Sequence, residues 1–252
     1  MPFTFAHPLY AAPLKLVKPK YFSLTGIVLG SMAPDFEYFI RFEPYQSIGH
    51  TNQGLFFHAI PLSILFAYLF HLLIKAPLSI HLPSLFNIDG RAQMLMREWK
   101  LDSIRSWAVF IVSVTIGFYL HILLDGFTHQ SGYFATRLVF LQHDIIGIPL
   151  YKLLQLGLSL IGLLVEAIII IFILWNTPIT GKYILVRTRD KFLFWAQVLG
   201  TSLVCTLLKV TLSSSVNYIG ILVVAPITGF FLGLIFASIL YRIRSDHKIL
   251  GG

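Results

Sequence analysis

Three residues that can bind a metal ion or move a proton are spaced four positions apart near the end of an apolar run. The stretch HILLDGFTHQSGY, residues 121–133, contains His121, Asp125 and His129. Side chains four positions apart lie on one face of an α-helix, so His121 and Asp125 point together, and His129 joins them if the helix continues. Imidazole with carboxylate suits Zn²⁺ or a similar divalent ion. A hydrogen-bonded pair near a helix end has the same spacing, so this stretch alone leaves both interpretations open.

The composition places these residues in a membrane protein. Of the 252 residues, 56% are hydrophobic, 15% aromatic and 12% charged, and the mean hydropathy is +0.79. Too few polar side chains remain to cover a water-soluble domain. The formal charge is +8, but no soluble domain presents a basic face, so we expect no nucleic-acid partner. The single cysteine, Cys205, excludes a disulfide framework and a thiolate metal cage.

The hydropathy pattern predicts an all-α, polytopic membrane bundle of about five spans. Apolar windows of about 20 residues, the length that crosses the hydrocarbon core, are residues 54–74, 106–126, 153–175, 192–212 and 217–241. Two shorter apolar segments precede them, residues 3–17 and 21–33, with three lysines between them. We predict an N-terminal hairpin of two short helices there, and a single transmembrane helical domain over residues 1–252.

The distribution of basic residues predicts the orientation. The turn of the N-terminal hairpin, the loops that follow the 54–74 and 153–175 windows, and the C-terminal tail are rich in lysine and arginine. The connections at 41–53 and 127–152 carry few basic residues. Because basic loops stay in the cytoplasm, we predict a multi-pass protein of the cell (inner) membrane. Its C-terminus would be cytoplasmic, and the 41–53 and 127–152 loops would face the extracytoplasmic side.

Polar residues from other predicted segments reach that same face. Asp35 ends the second short helix, His50 lies in the loop before the next span, and the hairpin returns His7 to the level of Asp35. Polar side chains at membrane depth are costly and are typically functional. The predicted metal ligands are therefore His7, Asp35, His50, His121, Asp125 and His129, with His58 as an addition. We expect a divalent metal ion, with Zn²⁺ favoured and Mn²⁺ or Mg²⁺ as alternatives.

Five sequence segments carry a resemblance to a known family. They are MPFTFAHP, GSMAPDFEYF, HTNQG, LHILLDGFTHQSGYF and GIPLYKLLQLGLSLIG. In this order they resemble an uncharacterised bacterial family of integral membrane proteins that is catalogued as a domain of unknown function. The order of the polar residues is more distantly similar to that of inner-membrane predicted metal-dependent hydrolases, which are thought to be related to zinc-dependent phospholipases C. The resemblance implies metal-ligand roles for His7, Asp35, His50, His121 and Asp125.

The second carboxylate of those hydrolases has a different counterpart in this chain. They usually carry Asp-x-Asp where this sequence has Asp35, Phe36 and Glu37. Either Glu37 replaces the second aspartate or the second carboxylate is absent. The resemblance therefore leaves the number of ions open.

These residues predict metal-dependent hydrolysis at the membrane. A metal ion lowers the pKa of a bound water, and a nearby carboxylate accepts the proton. Asp125 and Glu37 are the candidate catalytic carboxylates. Arg137, Tyr151 and Lys152 in the following loop are candidate substrate contacts for a phosphate. The location favours membrane lipid as the partner, with a lipid or lipid-linked phosphoester as substrate at the outer membrane face.

Two other functions stay open. In the first, the protein is non-catalytic, and a structural ion joins the N-terminal hairpin to the following helices; ligand types alone do not reveal an open coordination position. In the second, the protein is a metal-ion carrier, which needs ligands throughout the membrane depth, where this chain has Glu166 and Lys209. The sequence pattern does not indicate an oligomeric state.

Overall fold

The folded chain is almost entirely helical. The computed structural model describes residues 4–250, with side chains as far as Arg244. Its helices are α1 (His7–Ala11), α2 (Pro13–Val17), α3 (Leu24–Met32), α4 (Phe36–Arg41), α5 (Asn52–His81), α6 (Ile88–Met94), α7 (Ile104–Thr128), α8 (Tyr133–Arg137), α9 (Val139–Gln142), α10 (Leu150–Asn176), α11 (Thr188–Leu212) and α12 (Tyr218–Leu250). The predicted all-α fold class is confirmed.

Shorter elements complete the description. Three 3₁₀ helices cover Thr4–Ala6, Ala33–Asp35 and Leu85–Asn87. Within α5, Leu55–Ala59 and Leu69–Ile74 are π-helical. Strands β1 (Asp144–Ile145) and β2 (Ile148–Pro149) pair antiparallel as a small hairpin.

Five of the described helices are long and apolar enough to cross a membrane. They are Asn52–His81, Ile104–Arg137, Leu150–Asn176, Thr188–Leu212 and Tyr218–Arg244. Each one contains a predicted window or nearly all of it, so the expectation of a multi-pass membrane protein is confirmed. The choice of membrane and the side that each terminus faces remain predictions.

The contacts within the chain divide it into two compact units. The first consists of Met1–Phe36, Gln46–Ala67 and Lys100–Ile171. The second consists of Glu37–Tyr45, Tyr68–Trp99 and Phe172–Gly252. The single domain expected over residues 1–252 stays a prediction.

In the first unit, glycines allow the backbones of α3 and α7 to touch. The stretch GIVLG puts Gly26 and Gly30 four positions apart on α3. A Cβ added to Gly30 would lie 2.2 Å from the carbonyl oxygen of Val114, and one added to Gly117 would lie 2.6 Å from that of Ile27. Small residues at this spacing let membrane helices approach closely. The approach places the end of α3 beside the second half of α7.

The N-terminal arm packs against α10 in the same unit. The predicted first helix of the hairpin is itself in two pieces, and Pro13 stands at the start of the second piece. The hydroxyl of Tyr10 donates a 2.6 Å hydrogen bond to the carbonyl oxygen of Leu158. A Cβ on Gly162 would lie 2.6 Å from the Cβ of Ala6. These contacts set the position of α1, whose first residue is a predicted metal ligand.

In the second unit, α11 packs along α12 around an apolar core. A Cβ on Gly233 would lie 2.6 Å from the carbonyl oxygen of Val198. Buried apolar side chains surround this contact: Ile74, Phe194, Val198, Leu234 and Ala237. Close helix packing therefore holds this unit together as it does the first.

A buried ion pair anchors the start of α11. The ammonium of Lys191, which is 7% exposed, donates to Asp89 Oδ2 at 2.5 Å, to Ser84 Oγ at 2.7 Å and to the carbonyl oxygen of Leu82 at 2.8 Å. Burial by itself raises the pKa of the Asp89 carboxyl, but hydrogen bonds from Lys191, the Gly90 N–H and Ser84 hold that pKa below its usual range. All three donors of the ammonium are used, so the pair has a structural role.

The close contact at Gly30 predicts that adding a side chain there lowers stability strongly. We expect Gly30→Val to lower the free energy of unfolding by about 1–3 kcal/mol or more, because overpacking forces the two backbones apart. Gly157→Ala on α10 is the control, since a Cβ there meets nothing within 4 Å. Thermal unfolding in detergent, followed by circular dichroism, compares the two variants with the parent. Equal midpoints would contradict the packing argument.

The buried ion pair predicts a second stability effect. We expect Lys191→Met to cost about 3–5 kcal/mol, because the Asp89 carboxylate stays buried without its partner. Adding Asp89→Asn should recover part of this loss by removing the uncompensated charge. Lys182→Met, at an exposed position, is the control in the same unfolding measurement, and a cost no larger than that of the control would refute the pair's role.

Candidate metal centre

Five of the six predicted ligands meet in the first unit. They come from α1, from the 3₁₀ helix after α3, from the loop before α5 and from α7: His7, Asp35, His50, His121 and Asp125. Three of them are almost fully buried, with exposures of 2% for His7, 1% for Asp35 and 1% for His121. We call these five residues the His/Asp cluster.

Asp125 contacts three imidazoles of the cluster. Its Oδ2 lies 3.2 Å from His121 Nε2 and 3.5 Å from His50 Nε2, and its Oδ1 lies 3.3 Å from His7 Nε2. Asp35 Oδ1 lies on another side of two of these rings, 3.6 Å from His50 Nε2 and 3.8 Å from His121 Nε2. Nitrogen and oxygen atoms therefore face one another across a shared space.

The separations resemble those between ligands of one ion. Nitrogen and oxygen ligands about 2.0–2.2 Å from a tetrahedral ion stand roughly 3.3–3.6 Å apart. Charge-assisted hydrogen bonds between the same groups are shorter, at about 2.7–2.9 Å. Two groups of three, His7 with His121 and Asp125, and Asp35 with His50 and His121, have ligand atoms within 4.8 Å of one another. The two groups share His121, so they belong to one site.

Four buried atoms of the cluster lack a hydrogen bond within the part of the chain that the structure describes: Asp35 Oδ1, His121 Nε2, His7 Nδ1 and His50 Nδ1. The first two face other members of the cluster. The other oxygen of Asp35 accepts a 2.6 Å hydrogen bond from Thr4, and His121 Nδ1 lies 2.7 Å from the carbonyl oxygen of Ser31, to which it donates. Buried polar atoms are nearly always paired. Each side chain is therefore held by one atom and presents the other, as metal ligands typically do.

The environment of His7 favours a neutral ring. It stacks on His121, with ring centroids 3.8 Å apart and planes 15° apart. Burial, with the neighbouring His121, lowers the pKa of His7, although Asp125 and Asp35 act in the opposite direction. A neutral imidazole is the form that binds a metal.

His50 is positioned by the N-terminal cap of α5. The next residue, Thr51, accepts a 3.0 Å hydrogen bond from the Gly54 N–H and donates a 2.7 Å bond to the carbonyl oxygen of Ile48. Threonine is a favoured residue at this position because its oxygen pairs an otherwise free helix N–H. The closed loop leaves His50 beside Asp35 and Asp125.

The sixth predicted ligand, His129, lies beside the cluster with both ring nitrogens engaged. It follows the last residue of α7 in an extended conformation. Lys152 donates to Gln155 Oε1 at 2.5 Å, so the Gln155 amide nitrogen, 3.4 Å from His129 Nε2, must be the donor to that ring. The ring proton of His129 is then on Nδ1, 3.2 Å from the carbonyl oxygen of Asp125. Its role as an ion ligand stays a prediction.

The remaining predicted residues lie in other surroundings. The guanidinium of exposed Arg137 stacks 3.8 Å above the ring of Tyr133 and donates to its carbonyl oxygen. Tyr151 is half-buried in the first turn of α10, and His58 is half-buried in a π-helical turn of α5. Glu37 is 6% exposed and belongs to the second unit, so its catalytic role stays a prediction.

Three supporting residues were not expected from the sequence. Thr4 and Gln155 act through side chains, and Ser31 acts through its backbone carbonyl. Gln155 carried a usable signal, because an amide in an apolar membrane helix is costly unless it is paired. The sequence carries no comparable signal at Thr4 or Ser31, because hydroxyl side chains are common and every residue has a backbone carbonyl.

One family model matches residues 1–239, a range that includes every residue of the cluster. Its description is Domain of unknown function (DUF4184). The chain belongs to this family. No curated protein and no solved structure matches the chain. The predicted membership of an uncharacterised family is therefore confirmed.

The contact of Gln155 with His129 predicts a spectroscopic change. We expect Gln155→Leu to turn the single Nδ1–H tautomer of His129 into a mixture and to lower stability by about 1 kcal/mol, the typical net worth of a hydrogen bond. Nitrogen-15 NMR of histidine-labelled protein reports the tautomers. Gln142→Leu, at an exposed position, is the control, and an unchanged His129 signal in Gln155→Leu would contradict the assignment.

Proposed function

We propose that this protein is a membrane-embedded, metal-dependent hydrolase that cleaves a lipid or lipid-linked phosphoester at the outer face of the inner membrane. One observation carries the proposal: buried Asp35 Oδ1 and His121 Nε2 lack hydrogen bonds, and both face the other members of the His/Asp cluster. Burying such polar atoms away from water costs free energy unless they bind a partner or an ion.

The donor set supports a divalent ion. Three imidazoles and two carboxylates suit Zn²⁺ best, and they also suit Mn²⁺ or, less well, Mg²⁺. Thr4 and Ser31 hold two of the ligands in place, which is the role of the supporting residues around a metal. When bound, such an ion supplies an activated water of lowered pKa.

The exposure of the cluster favours catalysis over a purely structural role. The side chains of His50 and Asp125 are 16% and 14% exposed, whereas those of His7, Asp35 and His121 are 2% exposed or less. Catalytic sites keep one coordination position open, whereas structural sites are closed. Asp125 lies on the accessible side, so its carboxylate is the candidate that accepts a proton from water there.

The surroundings support a phosphorylated lipid as substrate. The cluster belongs to a unit whose long helices are apolar enough to span a membrane. Lipid molecules would therefore surround the unit. Exposed Lys152 is joined to the cluster through Gln155 and His129. An ammonium at this position can donate to a phosphate oxygen as well, while its bond to Gln155 Oε1 holds it in place.

The two alternatives make different demands. A structural ion would join four segments of the first unit, and the deep burial of His7, Asp35 and His121 is compatible with it. A carrier needs free ligands deep in the membrane. Among the described residues, Glu166 belongs to no group of three or more possible ligands, although one of its buried oxygens lacks a hydrogen bond. Lys209 pairs with Glu43 at 3.0 Å. The carrier is therefore the weaker alternative.

Metal content tests the site. We expect stoichiometric zinc or manganese in the detergent-purified parent and its loss from Asp125→Ala and His50→Ala, measured by elemental analysis of folded, monodisperse protein. His143→Ala is the matched control, since this imidazole is exposed in the loop after α9 and should not affect the metal. An absence of bound metal, even after metal is supplied, would exclude the hydrolase.

Activity then separates the hydrolase from a structural site. Parent protein loaded with Zn²⁺, Mn²⁺ or Mg²⁺ should release product from vesicles that contain lipid phosphoesters, and Asp125→Ala should not. Bound metal with no turnover of any lipid phosphoester would leave the ion as a structural link.

A further inference from the structure

An apolar hairpin lies in the first unit, just before α10 in the chain. We define it as residues 138–149, which contain α9, β1 and β2. Its large apolar side chains are exposed: Val139 72%, Phe140 54%, Ile145 44%, Ile146 97% and Ile148 37%. Side chains this exposed contribute little to the packing of the unit. Several exposed large apolar side chains in one short segment are typical of a surface that contacts a partner or a membrane.

The tip of the hairpin has a residue that the turn disfavours. Ile145 pairs with Ile148, and the two residues between them have positive φ angles, 58° at Ile146 and 74° at Gly147. Turns with two positive φ angles prefer asparagine, aspartate or glycine, and a β-branched residue is strained there. Because Ile146 is 97% exposed, packing within the protein does not offset this strain.

The residues at the base of the hairpin suit the lipid headgroup level. Arg137 precedes it and Lys152 follows it, both of them exposed, and Tyr133 is 60% exposed. Basic and tyrosine side chains are enriched at the membrane–water boundary. Asp144, which is exposed, pairs with Pro149, one residue pair below the pair that flanks the tip. Arg137, Lys152 and Tyr133 therefore flank the hairpin, and isoleucines occupy its tip.

The hairpin is also continuous with a lipid-facing surface. It leads directly into α10, a candidate membrane span of which only 6% of the most apolar window is buried. Exposed leucines and isoleucines continue along this helix, among them Leu156, Leu160 and Leu164. The acyl chains that cover α10 are thus the nearest apolar material for the tip.

We propose that the apolar hairpin inserts its tip into the leaflet beside the His/Asp cluster and delivers a lipid substrate from the bilayer to that cluster. The insertion depends on the hairpin alone. The delivery role rests on the proposed function, because it names how a substrate with acyl chains arrives. Arg137 and Lys152 contact the phosphate at the depth of the headgroups, and Ile146 lies between the acyl chains.

Fluorescence quenching tests the insertion. In a Cys205→Ala background, which removes the single native thiol, Ile146→Cys receives an environment-sensitive fluorophore, and the protein is reconstituted into vesicles with brominated acyl chains. We expect blue-shifted emission and quenching several-fold stronger than for the same label at Ser131→Cys, an exposed polar position just after α7. Equal quenching at the two positions would overturn the insertion.

Kinetics test the delivery. Ile146→Asp should raise the KM for a long-chain lipid phosphoester in vesicles several-fold and leave hydrolysis of a short-chain, soluble phosphoester unchanged. Ile146→Gly relieves the backbone strain without adding charge, so it separates strain from polarity and should behave closer to the parent. Equal effects of Ile146→Asp on both substrates would overturn delivery. If the parent hydrolyses neither substrate, the proposed function and delivery fail, and quenching at residue 146 still decides insertion.

Discussion

The first unit depends on how closely the backbones of α3 and α7 approach. Because Gly30 and Gly117 have no side chain, the carbonyl oxygen of Ser31 comes within 2.7 Å of His121 Nδ1. In lipid there is no hydrophobic force between helices, so tight packing and interhelical hydrogen bonds must hold them together. One contact therefore stabilises the helix pair, orients the imidazole of His121 and brings Asp35 to the same ring.

The buried Lys191 ion pair and the His/Asp cluster differ in how fully their polar atoms are paired. Lys191 uses all of its donors on Asp89, Ser84 and a carbonyl group, which is the pattern of a structural anchor. In the His/Asp cluster, Asp35 and His121 each keep one buried atom without a hydrogen bond. Folded proteins retain such unpaired atoms where binding requires them. This contrast distinguishes the candidate site from the Lys191 ion pair.

The first turns of α10 lie between the apolar hairpin and the side chains that contact the cluster. Gln155 is buried against His129, Lys152 is exposed beside it, and the apolar hairpin comes immediately before. A short stretch of chain thus combines a contact to the cluster, a surface cation and a group of exposed isoleucines. This order of polar and apolar groups matches the change from headgroups to acyl chains across one leaflet.

Local patterns in the sequence predicted much of this protein, because hydrocarbon thickness sets the length of a span and helix periodicity puts His121 and Asp125 on one face. The sequence by itself therefore determined the membrane class, the five spans and the chemical types of the predicted ligands. The break between α1 and α2, the supporting roles of Thr4 and Gln155, and the apolar hairpin were not predicted. Only the tertiary structure decided which atom of Asp35 and of His121 is held and which faces the cluster. That choice depends on contacts such as Ser31 with His121, which join backbone and side chain across 90 positions, and no local pattern encodes such a distance.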